Sequence, residues 1–223
     1  MPMPLSTRRR FLLLAGSTGA VVVAAALPAQ ARNDKVSPAE DLMREHGVLK
    51  RILLIYDEVA RRIDAKQEFP ARAVVESADL VRRFVEDYHE KLEENFLFPA
   101  FEKAGILTDL VAELRRQHEA GRRVTDDVRT LAKGSAADRP TLARSLRQFV
   151  RMYAPHEARE DTVLFPAMHR VFSSRQYDAL GERFEDQEEK LFGRGGFESI
   201  VGHVGDIEEA LGIYDLAEFT PKV

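Results

Sequence analysis

One twelve-residue segment constrains this chain more than any other. His89-Glu90-Lys91-Leu92-Glu93-Glu94-Asn95-Phe96-Leu97-Phe98-Pro99-Ala100 returns 67 positions later as His156-Glu157-Ala158-Arg159-Glu160-Asp161-Thr162-Val163-Leu164-Phe165-Pro166-Ala167. The copies align without a gap: His-Glu first, acid-acid in the middle, Leu-Phe-Pro-Ala last. Each sets a His and a Glu at i and i+4, one above the other on a single helix face. A helix offers two metal ligands to one point in this way, and two such helices make half of a dinuclear centre in a helix bundle.

The chain of 223 residues can bury one hydrophobic core, or one domain with an appendage. It contains no cysteine, which excludes disulfides, thiolate metal sites and cysteine nucleophiles. Residues 1–31 read as an export signal. Arg8, Arg9 and Arg10 precede the apolar run Phe11–Leu27, and Ala29-Gln30-Ala31 gives the small-x-small pattern of a cleavage point. Thr7-Arg8-Arg9-Arg10-Phe11-Leu12 resembles a bacterial twin-arginine signal, so a periplasmic protein exported already folded is expected. Gly16, Ser17, Thr18 and Gly19 interrupt the apolar run, which makes it a poor permanent span. No membrane partner is therefore expected in the mature form. The formal charge is −4, or about −7 without that segment, and no basic stripe marks a nucleic-acid partner.

Beyond the signal the apolar periodicity is helical throughout, with no strand-like alternation of useful length. Helix A is expected from Ser37-Pro38-Ala39-Glu40, a capping box, to about Asp64. Helix B follows Pro70 and should end as a regular helix near Pro99. Helix C runs from Thr108-Asp109 to Gly134. Helix D begins near Pro140, and Pro155 inside it should kink or rewind the backbone. Residues 32–172 thus make an all-α bundle. Residues 173–223 make a C-terminal helical extension, with acidic clusters Glu185-Asp186 and Glu188-Glu189 and a break at Gly193-Arg194-Gly195-Gly196.

Each of the four helices carries one histidine on its apolar stripe: His46, His89, His118 and His156. Singly, each would be an ordinary buried imidazole. Jointly, with Glu93 and Glu160 one turn beyond two of them, they describe a metal site. Two buried carboxylates without counter-charges would each cost several kcal/mol, and a metal pair removes that cost. His169 and His203 fall outside the seam, and the Leu-Phe-Pro segments read as hydrophobic plugs and helix terminators.

At this point the residues resemble a known family, the hemerythrin-like or HHE cation-binding domain, over roughly residues 38–172. The specific part of the resemblance is the pair of His-x-x-x-Glu…Leu-Phe-Pro segments. It implies an up-down-up-down four-helix bundle holding two non-haem iron ions, with His46, His89, Glu93, His118 and His156 as ligands plus a carboxylate from the last helix. Oxygen carriers of the family use His-x4-Asp, which would select Asp161. The internal repeat selects Glu160, and on a regular helix i+4 returns within roughly 40° of the first ligand, whereas i+5 lies roughly 140° away. Glu160 is favoured, with Asp161 as the alternative.

The oxygen carriers also have a second His one turn after the helix-C histidine, where this chain has Arg122. Five histidines become four, which argues against simple reversible oxygen carriage. Arg122 is expected either in solvent or facing the centre, where it could hold an anion.

Imidazole with carboxylate suits iron or manganese and also accepts zinc. The expected function is binding or reduction of dioxygen, peroxide or nitric oxide. A non-catalytic iron or zinc store is the alternative. A third class is an interaction protein whose function lies in residues 173–223. Tyr88 and Tyr153 flank the ligands as boundary tyrosines or as relays for protons and electrons.

Overall fold

The computed structural model describes residues 36–222, so the export segment 1–31 lies outside the described residues. Helix α1 spans Pro38–Asp64. It begins where expected: the Ser37 hydroxyl accepts from the Glu40 N–H at 3.2 Å, and Pro38 takes the first turn, where its missing donor costs nothing. Only this half of the expected capping box is formed.

Helix α2 runs unbroken from Ala71 to Ala104, but its winding changes along the way. Val81–His89 and Glu93–Leu97 form π-helix, and Phe98–Ala104 returns to α. The expected stop near Pro99 is therefore corrected. The wide turn just before Pro99 opens space for its ring and spares the backbone bond that proline cannot make. The helix ends instead at Gly105, whose φ of 66° supplies the left-handed cap.

Helix α3 covers Thr108–Leu131, stopping short of Gly134. Helix α4 covers Arg139–Arg159, continues as π-helix over Glu160–Leu164, and tightens to 3-10 over Phe165–Arg170. Pro155 does not break α4, and the rewinding comes one turn later. It falls at the same place as in α2: both π-turns start on the acidic residue four beyond the histidine, at Glu93 and Glu160.

Helices α1 to α4 close into an all-α bundle in which α1 and α3 each pack against both α2 and α4. Two apolar layers fill it. Residues preceding the ligands on α2 and α4, including Val74, Val81, Phe84, Leu146 and Phe149, meet Ile52, Val59 and Val128. Residues following them, Leu97, Phe98, Leu164, Phe165 and Met168, plug the other side. The seam histidines lie between these layers.

Helices α5 (Ser174–Phe192) and α6 (Gly196–Leu211) fold back on the bundle, and Val36–Val223 form one compact unit. Tyr177, Leu180 and Phe184 of α5, with Ile200, Val204, Ile207 and Leu211 of α6, bury their faces against it. Arg51 of α1 grips Glu208 of α6 through both carboxylate oxygens, at 3.0 and 3.1 Å from its Nε. Phe192 and Phe197 pack on Phe84, and Arg44 lies 4.5 Å over the Phe197 ring. The covered face of α1 explains why its buried stripe is wider than a bundle seam alone requires.

The α3–α4 approach depends on Gly121. A Cβ there would lie 2.0 Å from the Tyr153 hydroxyl oxygen and 2.8 Å from Cζ. Tyr153 cannot retreat, since it is buried and donates to Glu90 at 2.7 Å. Gly121→Ala should therefore lose stability by about 1–3 kcal/mol from overpacking, outweighing the roughly 1 kcal/mol that alanine gains in a helix. The check is thermal unfolding. Adding Tyr153→Phe, which removes the nearest clashing atom, should restore part of the loss, and a Gly121→Ala protein as stable as the parent would refute this packing account.

Candidate metal centre

The six residues expected at the site come together from all four helices. His46 (α1), His89 and Glu93 (α2) place ligand atoms within 4.8 Å of one another, and so do His118 (α3), His156 and Glu160 (α4). All six are buried.

The carboxylates tie the two groups together. Glu93 lies 3.9 Å from Nε2 of His89 and 3.4 Å from Nε2 of His118. Glu160 lies 3.1 Å from Nε2 of His156 and 3.4 Å from Nε2 of His46. Each carboxylate thus faces one histidine of its own helix and one across the bundle. The His46 and His89 Nε2 atoms approach to 3.1 Å.

Both oxygens of Glu93 and of Glu160, and Nε2 of His118, have no hydrogen-bond partner despite full burial. Unsatisfied buried carboxylates are too costly to be structural filler. The spacings have a simple reading. Two ligand atoms about 2.1 Å from a shared ion sit about 3.0 Å apart at a right angle and about 3.4 Å apart at the tetrahedral angle. The observed separations, 3.1 to 3.9 Å, begin at those values and extend somewhat beyond them, and the residues fit a pair of metal ions.

Around this set runs a second layer that the sequence reading did not identify. Every inward-facing imidazole is held through its outer nitrogen. His89 Nδ1 meets Glu45 at 2.6 Å, His118 Nδ1 meets Glu94 at 3.1 Å, His156 Nδ1 meets Gln117 at 2.8 Å, and His46 Nδ1 meets Asp161 at 2.7 Å. The order is cyclic. Helix α1 holds the histidine of α2, α2 that of α3, α3 that of α4, and α4 that of α1. Such partners fix the ring plane and its tautomer, leaving Nε2 free for an ion.

The clue was adjacency, since every partner is the immediate sequence neighbour of a ligand: Glu45-His46, Glu93-Glu94, Gln117-His118, Glu160-Asp161. Asp161 and Glu160 therefore occupy different places, with Glu160 inward and fully buried and Asp161 29% exposed on the outside of His46.

The second residue of each repeat is also accounted for. Glu90 and Glu157 are buried, and each pairs with the cation one turn beyond the histidine of a neighbouring helix. Arg122 reaches Glu90 at 2.6 Å, and Lys50 reaches Glu157 at 3.2 Å. Arg122 also reaches Glu94 at 2.6 Å. It is thus neither simply solvated nor free to receive an anion; its charge is already engaged by two carboxylates.

Phe98 stacks on His118 and Phe165 on His46, with centroids 5.5 and 5.3 Å apart and rings tilted by 26° in both cases. The Leu-Phe-Pro segments therefore wall the site as well as plug the bundle. Tyr153 donates to Glu90, and Tyr88 lies against Phe84 and Phe192. His169 stacks on Tyr177 and His203 lies 4.0 Å from Glu76, both exposed and away from the six.

The metal-free electrostatics are strained. Burial pushes the Glu45 carboxyl up to about 8. Burial and the facing Glu160 push Glu93 well above its ordinary value. Burial lowers His118 to about 4, whereas at His46 it is outweighed by Asp161 and Glu160, which raise the imidazole to about 9. Partial burial and the neighbouring Glu45 raise Asp41 to about 7.

These shifts carry a signed consequence. Between about pH 7 and 8 the unfolded carboxyls are ionised and the unfolded histidines largely neutral, while folded His46 keeps its proton and folded Glu45 keeps much of its own. The native state then binds more protons than the unfolded one, so stability falls as pH rises. Metal binding runs the other way, because it requires deprotonated ligands. Chelator-treated protein should therefore lose thermal stability from pH 7 to 8, and the gain on adding divalent metal should grow over the same range. A metal-free protein that becomes more stable with rising pH would contradict this account.

The hemerythrin HHE cation-binding domain model matches residues 37–168, a span that contains every residue of the centre. Curated relatives include uncharacterized proteins of Mycobacterium bovis and Mycobacterium tuberculosis. Each is 48% identical over 237 aligned residues, covering 98% of this chain and 93% of the relative. No solved structure matches the chain. With the bundle, the duplicated ligand segments and the match all on the same residues, the chain belongs to the hemerythrin HHE cation-binding family.

Proposed function

We propose that the chain is an exported non-haem di-iron protein that binds or reduces dioxygen, peroxide or nitric oxide. The observation that carries the reading is the pair of buried, unpartnered carboxylates, each between histidines of two helices. His46 and His89 would hold one ion and His118 and His156 the other, with Glu93 and Glu160 completing the donor set. Manganese or zinc would fit the same donors.

Two divalent ions against two carboxylates leave about two positive charges, favouring a small anionic or diatomic ligand. When bound, such a pair supplies Lewis-acid and redox chemistry toward oxygen-oxygen or nitrogen-oxygen bonds. The chain's own part is to fix the imidazoles through Glu45, Glu94, Gln117 and Asp161 and to shed water with the Leu97, Phe98, Leu164 and Phe165 plug. Tyr153 holds a proton 2.7 Å from Glu90, outside the ligand set.

Protein purified through its native export route should carry close to two irons per chain, with near-ultraviolet charge-transfer bands that respond to azide or peroxide. One zinc, or no stoichiometric metal, would overturn the di-iron reading and leave a binding or storage module.

The localisation reading rests on Arg8 and Arg9, and among the described residues no helix is long and apolar enough to cross a membrane. Replacing both arginines by lysine should leave the protein in the cytoplasmic fraction. Unchanged recovery from the periplasm would reject the twin-arginine route.

A further inference from the structure

The chain is built as two similar halves, which makes their differences informative. Glu45 before His46 corresponds to Gln117 before His118, and Lys50 beyond the first corresponds to Arg122 beyond the second. In the repeated segments Glu94 corresponds to Asp161 and Glu90 to Glu157. The ligands obey this symmetry, with two histidines in each half and a shared pair of carboxylates. The outer partners break it.

In the half formed by His46 and His89, both imidazoles lean on carboxylates, Asp161 at 2.7 Å and Glu45 at 2.6 Å. Among the described residues, no lysine or arginine is ion-paired with either one. Lys50 pairs with Glu157, and Arg44 with Asp41. In the half formed by His118 and His156, one imidazole leans on the neutral amide of Gln117. The other leans on Glu94, whose charge is already drawn by Arg122 at 2.6 Å and Lys91 at 2.5 Å. One half thus has two carboxyl supports without a lysine or arginine ion pair among the described residues, and the other has one, doubly countered.

A carboxylate on the outer nitrogen makes an imidazole a more basic ligand, and a negative charge close by favours a bound cation directly. We propose that the two metal positions are unequal, the His46/His89 position binding its divalent cation first and more tightly, with Gln117 and Arg122 as the residues that weaken the second. This rests on the metal-centre reading above. Gln117 and Glu45 act here as positioning residues through the histidines they hold.

The test is a calorimetric and optical titration of the chelator-stripped full protein with Co(II). The parent should take up two ions in two resolved steps. Glu45→Gln, which replaces a carboxylate by an amide of the same shape, should weaken the first step by about 10-fold and leave the second nearly unchanged. Gln117→Glu should do the converse, tightening the second step by about 10-fold and narrowing the gap. Uptake of two ions with one affinity, together with no change in either step on Gln117→Glu, would overturn the inequality while leaving the metal centre in place. Failure of the parent to bind Co(II) would overturn the centre and the inference together. Circular dichroism of both variants separates a lost support from a lost fold.

Discussion

Two carboxylates in the middle of a helical bundle, without a hydrogen bond between them and anything else, set the terms for the rest of this molecule. Glu93 and Glu160 are fully buried with four imidazoles turned toward them. Left alone, Glu93 is driven by burial to take up a proton, while at Glu160 burial is outweighed by the imidazoles of His156 and His46, which hold its carboxyl well below the usual range. The raised Glu93 carboxyl expresses that tension. Much else is a response to it: apolar layers on both sides, phenylalanines stacked on two imidazoles, and buried glutamates placed opposite a lysine and an arginine.

The gathering of these six residues was legible in the sequence because its signal is periodic. A histidine on an apolar stripe and a carboxylate four residues later both follow from helix geometry alone, and a gapless repeat shows that the arrangement was used twice. The helix starts were legible for local reasons, as Ser37-Pro38 shows. Proline was misleading. Pro99 reads as a stop, yet α2 continues to Ala104, and beyond Pro155 α4 stays α-helical through Arg159 before it rewinds. In each copy of the repeat a wide turn begins at Glu93 or Glu160, and no local propensity announces it.

The support around the ligands was not legible, because those contacts join different helices. Glu45 looks like a surface acid on the helix of His46, but it serves His89. Asp161 looks like a competitor of Glu160, but it serves His46. Arg122 looks like a missing histidine, and it is a counter-ion for Glu90 and Glu94. The folded-back α5 and α6 likewise depended on long-range pairing, seen in Arg51 with Glu208.

The cyclic order of the histidine partners has a consequence for how such a chain can change over time. No helix orients its own imidazole, so drift in one helix is felt first by a ligand on the next. A substitution at Glu45 is answered at His89, and one at Gln117 at His156, residues 44 and 39 positions away. Compensating changes should therefore pair adjacent helices around the ring and seldom fall within a single helix. The four segments are bound to vary together, although each would pass alone as an ordinary amphipathic helix.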